Sequence, residues 1–213
     1  MSLKRLVILL LAIGVAVAAF MWLGPGHDYR NLPPTAEGPW IAFGDSLTEG
    51  YGASPGNDYP SLLSKSLGIA IQNLGKTGET SEDGVNHLES VTALKPRVVL
   101  LCFGGNDALQ GKAVSRTTAN LAQMIDRFHS EGSFVVLIGI RSASLRDRNQ
   151  SHFKELAREK EVLYVPDMLK GLAFKPIYMS DAIHPNDAGY ARIAERLEKA
   201  LKPVLAKLTA AEK

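Results

Sequence analysis

Short apolar runs alternate with amphipathic stretches from residue 40 to residue 201, and this alternation restricts the fold more than any other feature of the sequence. The runs are rich in Val, Ile, Leu and Phe, which is typical of strands that are buried on both faces. They lie at residues 40–43, 69–74, 98–103, 134–140 and 162–165. The pattern predicts a three-layer α/β/α sandwich with a five-stranded parallel sheet, a flavodoxin-like arrangement.

Helical patterns separate or follow the predicted strands. Gly68 and Gly132 stand where a helix should give way to a strand, and Thr80 with Asp83 three residues later resembles a capping pair. Apolar side chains at helical spacing indicate faces that pack on the sheet. The predicted helices span residues 59–67, 80–94, 115–131, 149–160 and 186–201.

An uncharged stretch of eighteen residues, 6–23, precedes this region. As a helix it would be about 27 Å long, which is enough to cross a bilayer. A small-residue site ending at Ala18 makes a cleaved signal peptide the alternative. We favour an uncleaved anchor because the apolar run continues past Ala18 to Trp22, a residue suited to the membrane interface. Since Lys4 and Arg5 precede the run, the positive-inside rule places the following domain outside the cytoplasmic membrane, in the periplasm or extracellular space, or secreted if the segment is cleaved.

The remaining sequence divides into a linker at residues 24–38, a globular domain at 39–208 and a short tail at 209–213. The chain has 24 Lys and Arg against 22 Asp and Glu, and Lys4 and Arg5 precede the apolar run, so the domain itself is neutral. A neutral domain argues against a nucleic-acid-binding protein. The single cysteine, Cys102, excludes an internal disulfide and a cysteine zinc site, and its place in a predicted strand indicates a core residue.

Unusual polar and glycine residues follow four of the predicted strands. In such sheets, ligands bind beyond the carboxyl ends of the strands. We therefore expect one crevice to be lined by the segment around Ser46, the turn at Gly78, the loop at Asn106, and the pair Asp181 and His184.

These residue types permit nucleophilic catalysis. A serine hydroxyl needs an adjacent base that an acid holds in the right tautomer. Ser46 is the candidate nucleophile, His184 the base and Asp181 its partner at Nδ1, because His184 alone among the five histidines lies in a strand-end loop. The Ser46 amide, the Gly78 amide and the Asn106 side chain could form an oxyanion hole. Taken singly, each residue has a structural alternative as a helix cap or an ordinary turn residue.

Four sequence blocks, taken together and in order, resemble those of the SGNH hydrolases, also called the GDSL family. The blocks are FGDSLTEGYGAS from Phe43, NLGKTGETSEDG from Asn73, LCFGGNDALQG from Leu101 and DAIHPNDAGY from Asp181. The resemblance covers about residues 39–205 and is greatest to the branch that contains thioesterase I, lysophospholipase and arylesterase-type enzymes.

The resemblance implies a catalytic triad of Ser46, Asp181 and His184, with Gly78 and Asn106 completing the oxyanion hole around Ser46. It implies a small acyl or aryl ester, a lysophospholipid or an acyl thioester as substrate, and neither a metal nor an organic cofactor. The sequence departs from that branch at residues 141–144, where a polar loop replaces a more apolar one.

Two other functions remain as hypotheses. The polar loop and the expected location favour an O-acetyl esterase that acts on a cell-wall or surface polysaccharide. A relative without catalytic activity that only binds a ligand is the alternative from another class, and the intact triad residues argue against it. Six basic residues between 141 and 160 are interpreted as a solvated face with ion pairs.

Overall fold

The structure is a computed structural model that describes residues 29–140 and 149–210. Within these ranges five strands form one parallel sheet in the order β2-β1-β3-β4-β5. The strands are β1 (Trp40–Gly44), β2 (Ile71–Gly75), β3 (Val98–Cys102), β4 (Phe134–Ile138) and β5 (Leu163–Val165). The predicted five-stranded parallel sheet is confirmed.

Helices cover both faces of the sheet. One layer contains α2 and α7, which pack on each other, and the other contains α3, α5 and α6, where α5 contacts both neighbours. The helices are α1 (Ser46–Glu49), α2 (Tyr59–Leu67), α3 (Ser81–Thr92), α4 (Gly105–Leu109), α5 (Val114–Ser130), α6 (Asn149–Glu159), α7 (Asp187–Leu201) and α8 (Leu205–Thr209). The molecule is thus the expected α/β/α sandwich.

The strand residues alternate between two separate cores because side chains along a strand point to opposite faces. In β1, Trp40 and Ala42 belong to the core beneath α2 and α7, whereas Ile41 and Phe43 belong to the core beneath α3, α5 and α6. Cys102 is fully buried in the first of these cores, and burial raises the pKa of its thiol well above the ordinary value. The interpretation of Cys102 as a core residue is confirmed.

Several boundaries differ from the sequence prediction, and the differences are local. The second strand begins at Ile71 rather than at residue 69 and ends at Gly75. Helices α1, α4 and α8 have four or five residues, too few for an amphipathic period to be recognised. The expected capping box is present, since the Thr80 side chain accepts from the Asp83 amide and the Asp83 carboxylate accepts from the Thr80 amide.

A linker runs along the amino edge of the sheet, where the strands begin. The Arg30 amide donates to the Glu161 carbonyl at 2.9 Å, just before β5, and the Thr35 amide donates to the Gly132 carbonyl at 3.1 Å, just before β4. The Asn31 side-chain amide donates to the carbonyls of His129 and Ser133 at 3.0 and 2.9 Å. The segment leading into β1 is therefore attached to the domain.

Two expectations fall on residues outside the described ranges. These are the N-terminal apolar segment at 6–23 and the polar loop at 141–144. In residues 29–140 and 149–210, no helix has the length and apolar character needed to span a bilayer.

Candidate active site

Ser46 occupies a tight turn between the carboxyl end of β1 and α1. The Asp45 side chain caps α1 by accepting a hydrogen bond from the Leu47 amide at 3.0 Å, so Ser46 is the first helical residue and not the cap. The helix cap is the structural alternative for Ser46, and here Asp45 takes that role. Ser46 is 7% exposed, and its hydroxyl opens toward the loop that follows β5.

The loop between β5 and α7 brings His184 to Ser46. The Ser46 Oγ atom lies 3.0 Å from His184 Nε2, across 138 positions of the sequence. The other ring nitrogen, His184 Nδ1, lies 2.7 Å from Asp181 Oδ2. A short hairpin holds this geometry. Met179 and Pro185 form an antiparallel bridge, and the Ser180 amide donates to the His184 carbonyl at 2.9 Å.

The Asp181 carboxylate is set up to remain ionised. Desolvation raises its pKa, but hydrogen bonds from the His184 ring and from two backbone amides outweigh that effect, so the pKa lies below its ordinary value. The two amides are those of Ile183 and His184, which donate to Oδ1 at 2.8 and 2.7 Å. The carboxylate can therefore hold the ring with Nε2 facing Ser46 and stabilise a positive charge on it.

Candidate oxyanion donors come from the loops after β1, β2 and β3. Gly78 has a φ of +84°, a left-handed conformation in which a side chain would be strained. Asn106 lies in α4, and its Nδ2 atom donates to the Glu79 carbonyl at 2.8 Å, which fixes the amide beside the Gly78 loop. Within the described ranges, the backbone amides of Ser46 and Gly78 donate no hydrogen bond. Both amides can thus donate to a substrate.

Tyr51 is a neighbour of the site that the sequence did not single out. Its ring lies 4.5 Å from the His184 ring, centroid to centroid, with 47° between the planes. The Tyr51 carbonyl accepts a hydrogen bond from the Tyr190 hydroxyl at 2.9 Å, which attaches this loop to α7. Tyr51 belongs to the same sequence block as Ser46, but only the fold places it against a histidine 133 positions away.

Two buried carboxyls beneath the site were also not anticipated. Burial raises the pKa of Asp45 to about 7, and the nearby Asp107 adds to the rise against the lowering effect of the Leu47 amide. Asp107 accepts from the Ser81 amide at 2.8 Å, from the Ser81 hydroxyl at 2.6 Å and from the Thr117 hydroxyl at 3.1 Å. Asp107 thereby joins α4, which carries Asn106, to α3 and α5.

The arrangement as a whole is suited to acyl transfer. A hydroxyl, an imidazole and a carboxylate follow one another at hydrogen-bond distance, and candidate amide donors lie in the loops after β1, β2 and β3. In the part of the chain that the structure describes, no group of three or more His, Cys, Asp or Glu side chains is placed to hold a metal ion.

Known proteins are similar to this chain in sequence. A family model described as the GDSL-like Lipase/Acylhydrolase family matches residues 42–192. Esterase TesA of Pseudomonas aeruginosa is 32% identical over 178 residues, covering 78% of this chain and 88% of that protein. Thioesterase 1/protease 1/lysophospholipase L1 of Escherichia coli K12 is 29% identical over 174 residues, covering 78% of this chain and 84% of that protein.

Solved structures agree with these sequence matches. A crystal structure of TesA superposes with a TM-score of 0.74 at 29% identity, covering 78% of this chain and 99% of that one. AlinE4, an esterase of the SGNH-hydrolase family, superposes with a TM-score of 0.62 at 30% identity, covering 83% of this chain and all of that one. Because the family match extends over more than half of the chain, this protein belongs to the GDSL-like lipase/acylhydrolase family, the SGNH hydrolases, and is a hydrolase of ester bonds.

Proposed function

We propose that the protein hydrolyses carboxylic esters or thioesters through a Ser46, His184 and Asp181 triad and an acyl-enzyme. The observation that carries this proposal is the unbroken hydrogen-bond chain from Asp181 Oδ2 through the His184 ring to Ser46 Oγ. Because a serine hydroxyl is a weak nucleophile, the imidazole must accept its proton as the attack on the carbonyl proceeds.

In the first half-reaction, Ser46 Oγ bonds to the acyl carbon while its proton moves to His184 Nε2. The backbone amides of Ser46 and Gly78 and the side-chain amide of Asn106 donate to the oxygen that becomes negative in the tetrahedral intermediate. When the intermediate collapses, the bond to the alcohol or thiol breaks, and His184 returns the proton to this leaving group. In the second half-reaction His184 deprotonates a water that attacks the acyl-enzyme, which releases the acid and restores Ser46.

We propose a small acyl or aryl ester, a lysophospholipid or an acyl thioester as the substrate. The relatives named as esterase, arylesterase and thioesterase/lysophospholipase support this set of acyl compounds. A hydrolysis panel of acetyl, butyryl and long-chain esters, an acyl thioester and an acetylated sugar separates these substrates from one another.

Replacement of Ser46 by alanine tests the mechanism. We expect Ser46→Ala to lower kcat on a soluble ester by about a millionfold, because the triad acts as a unit. The wild-type enzyme should become labelled at Ser46 by a fluorophosphonate, as read by peptide mass spectrometry, and the variant should remain unlabelled. A folded Ser46→Ala enzyme with near-normal turnover would exclude this mechanism.

We propose further that residues 6–23 remain as an anchor and that the catalytic domain lies outside the cytoplasmic membrane. The support is the uncharged run after Lys4 and Arg5, which continues past the potential cleavage site at Ala18. N-terminal sequencing of the protein from its own cells should give the native N-terminus from the membrane fraction. A mature chain that begins at Ala19 would identify a signal peptide instead.

A further inference from the structure

The proposed oxyanion hole requires that donors from separate loops be held at fixed positions relative to one another. Its two backbone donors, the amides of Ser46 and Gly78, come from loops after different strands. Oxyanion donors act only when they lie about 3 Å from one developing charge, and small displacements are costly in rate. Something must therefore fix the Gly78 turn relative to α1.

The base of the Gly78 turn is fixed by the backbone and by Asn73. The Lys76 amide donates to the Gly44 carbonyl at 3.0 Å, and the Asn73 side-chain amide donates to the Thr48 carbonyl at 2.8 Å. Gly75 approaches α1 so closely that a Cβ atom there would lie 2.1 Å from the Glu49 nitrogen. These contacts hold residues 73–76 but do not reach Gly78 itself.

The tip of the turn is held by a carboxylate. The Thr77 amide, which directly precedes Gly78, donates to Glu49 Oε2 at 2.6 Å. This is a charge-assisted hydrogen bond of the stronger kind. Within the described ranges, Thr77 and Gly78 make no other hydrogen bond, so Glu49 alone connects the tip to α1. Glu49 lies three residues after Ser46 in the same helical turn.

We propose that Glu49 is a positioning residue of the oxyanion hole, whose carboxylate fixes the Gly78 amide relative to the Ser46 amide. This rests on the proposed roles of Ser46 and Gly78. The same turn also receives the third donor, because the Glu79 carbonyl accepts the Asn106 side-chain amide. Glu49 therefore acts on a turn that contains one proposed donor and contacts another, although it touches no reacting atom.

Glu49 could act through the position of its hydrogen-bond acceptor or through its negative charge, and two substitutions distinguish these possibilities. Glu49→Gln keeps an acceptor for the Thr77 amide and removes the negative charge, whereas Glu49→Ala removes both. If the carboxylate acts by position, the glutamine should preserve most of the activity. If charge alone mattered, glutamine and alanine would behave alike.

The experiment measures kcat and KM on a soluble p-nitrophenyl ester for the full chain with each substitution. We expect Glu49→Ala to lower kcat by about tenfold with KM within about twofold, since transition-state stabilisation is lost and ground-state binding is not. Glu49→Gln should stay within about threefold of wild type in kcat. Glu195→Ala, which removes an exposed carboxylate on α7, is the matched control and should change neither constant.

A trifluoromethyl ketone supplies a readout that a merely structural role would not move. Its adduct with a serine carries an oxyanion, so its Ki in Glu49→Ala should rise by the factor by which kcat/KM falls. A Glu49→Ala enzyme with unchanged kcat, or a Glu49→Gln enzyme that falls as far as the alanine variant, would overturn the inference. If the alanine variant does not fold, Glu49→Asp replaces it, because the shorter side chain keeps the charge but withdraws the acceptor from the Thr77 amide. Its kcat should then fall as predicted for alanine, and an unchanged kcat would overturn the inference. Failure of fluorophosphonate to label Ser46 in the wild-type enzyme would refute the proposed function instead.

Discussion

The two ends of the parallel strands differ in what covers them. The strands begin at the amino edge of the sheet and end at the carboxyl edge, where the candidate site lies. Five of the six large hydrophobic side chains that are exposed within residues 29–140 and 149–210 lie in segments that follow the carboxyl ends of strands: Tyr51, Leu109, Phe174, Ile177 and Ile183. The sixth, Leu94, lies near the amino edge, where the linker attaches. The edge that contains the candidate site thus exposes most of these side chains, whereas the linker is attached along the opposite edge.

At the amino edge, one arginine side chain connects several segments through their backbone carbonyls. The Arg97 guanidinium donates to the carbonyls of Leu208 and Ala36 at 2.8 and 3.1 Å and also to the Ala210 carbonyl. One side chain thus joins the linker, the start of β3 and the C-terminal helix. The difference between the edges indicates that stability and catalysis are assigned to opposite ends of the same strands.

Each edge also contains a buried titratable group, and the two groups have opposite shifts. Burial raises the pKa of Asp45 to about 7 at the carboxyl edge. At the amino edge, burial lowers the pKa of His129 to about 4, and the charge of Arg30 adds to this. Both His129 ring nitrogens are buried, and neither has a hydrogen-bond partner among residues 29–140 and 149–210.

The largest effect is expected within the triad at the carboxyl edge. His184→Ala should lower kcat by about a millionfold and Asp181→Asn by about ten-thousandfold, because in the proposed mechanism His184 moves the proton whereas Asp181 only orients the ring and stabilises its charge. Steady-state kinetics on a neutral ester measure both. If Asp181→Asn were the more severe change, the two roles would be wrongly assigned.

One substitution at each edge tests whether catalysis depends on the carboxyl edge and stability on the amino edge. Asn106→Ala should lower kcat by about a hundredfold to a thousandfold with little change in KM, since in the proposed mechanism its side-chain amide donates to an oxygen that becomes negative only during the reaction. Arg97→Ala should leave kcat unchanged and lower the free energy of unfolding by about 2 kcal/mol, or Tm by about 5 °C. Kinetics and thermal unfolding of both variants decide, and loss of activity in Arg97→Ala would contradict the division.

The stability of the protein should also depend on pH through the two buried groups, Asp45 and His129. Between about pH 4 and 7 the folded state holds a proton on Asp45 that the unfolded state has lost, so this group makes the free energy of unfolding fall as pH rises. Between about pH 4 and 6.5 the unfolded state holds a proton that His129 lacks, so the free energy of unfolding rises with pH.

Urea unfolding at several pH values separates the two groups. Asp45→Asn keeps the acceptor for the Leu47 amide and should increase stability most at neutral pH, whereas His129→Leu should increase it most near pH 4. Parallel stability curves for wild type and a variant would refute the assigned shift at that position.

The sequence predicted the parts that depend on order along the chain. Strand and helix patterns predicted the sandwich, and the four blocks placed Ser46, Gly78, Asn106 and His184 at strand ends. Contacts between loops of different strands could not be predicted in this way. The hydrogen bond from Thr77 to Glu49 and the ring contact of Tyr51 with His184 depend on how adjacent strands pair, for which the sequence has no periodic signal.

The attachment of the linker bears on how the domain would face a membrane if residues 6–23 anchor it, as proposed. Tyr29 packs edge-on against Phe134 at the start of β4, with ring centroids 6.0 Å apart, so the chain leaves the domain at the edge opposite the site. Residues 24–28 can extend at most about 17 Å from that point. If residues 6–23 are embedded in a bilayer, as proposed, that bilayer lies behind the domain and the crevice opens away from it. Such an enzyme would take its esters from the space in front of the membrane, and a fusion partner at the N-terminus would leave the crevice clear.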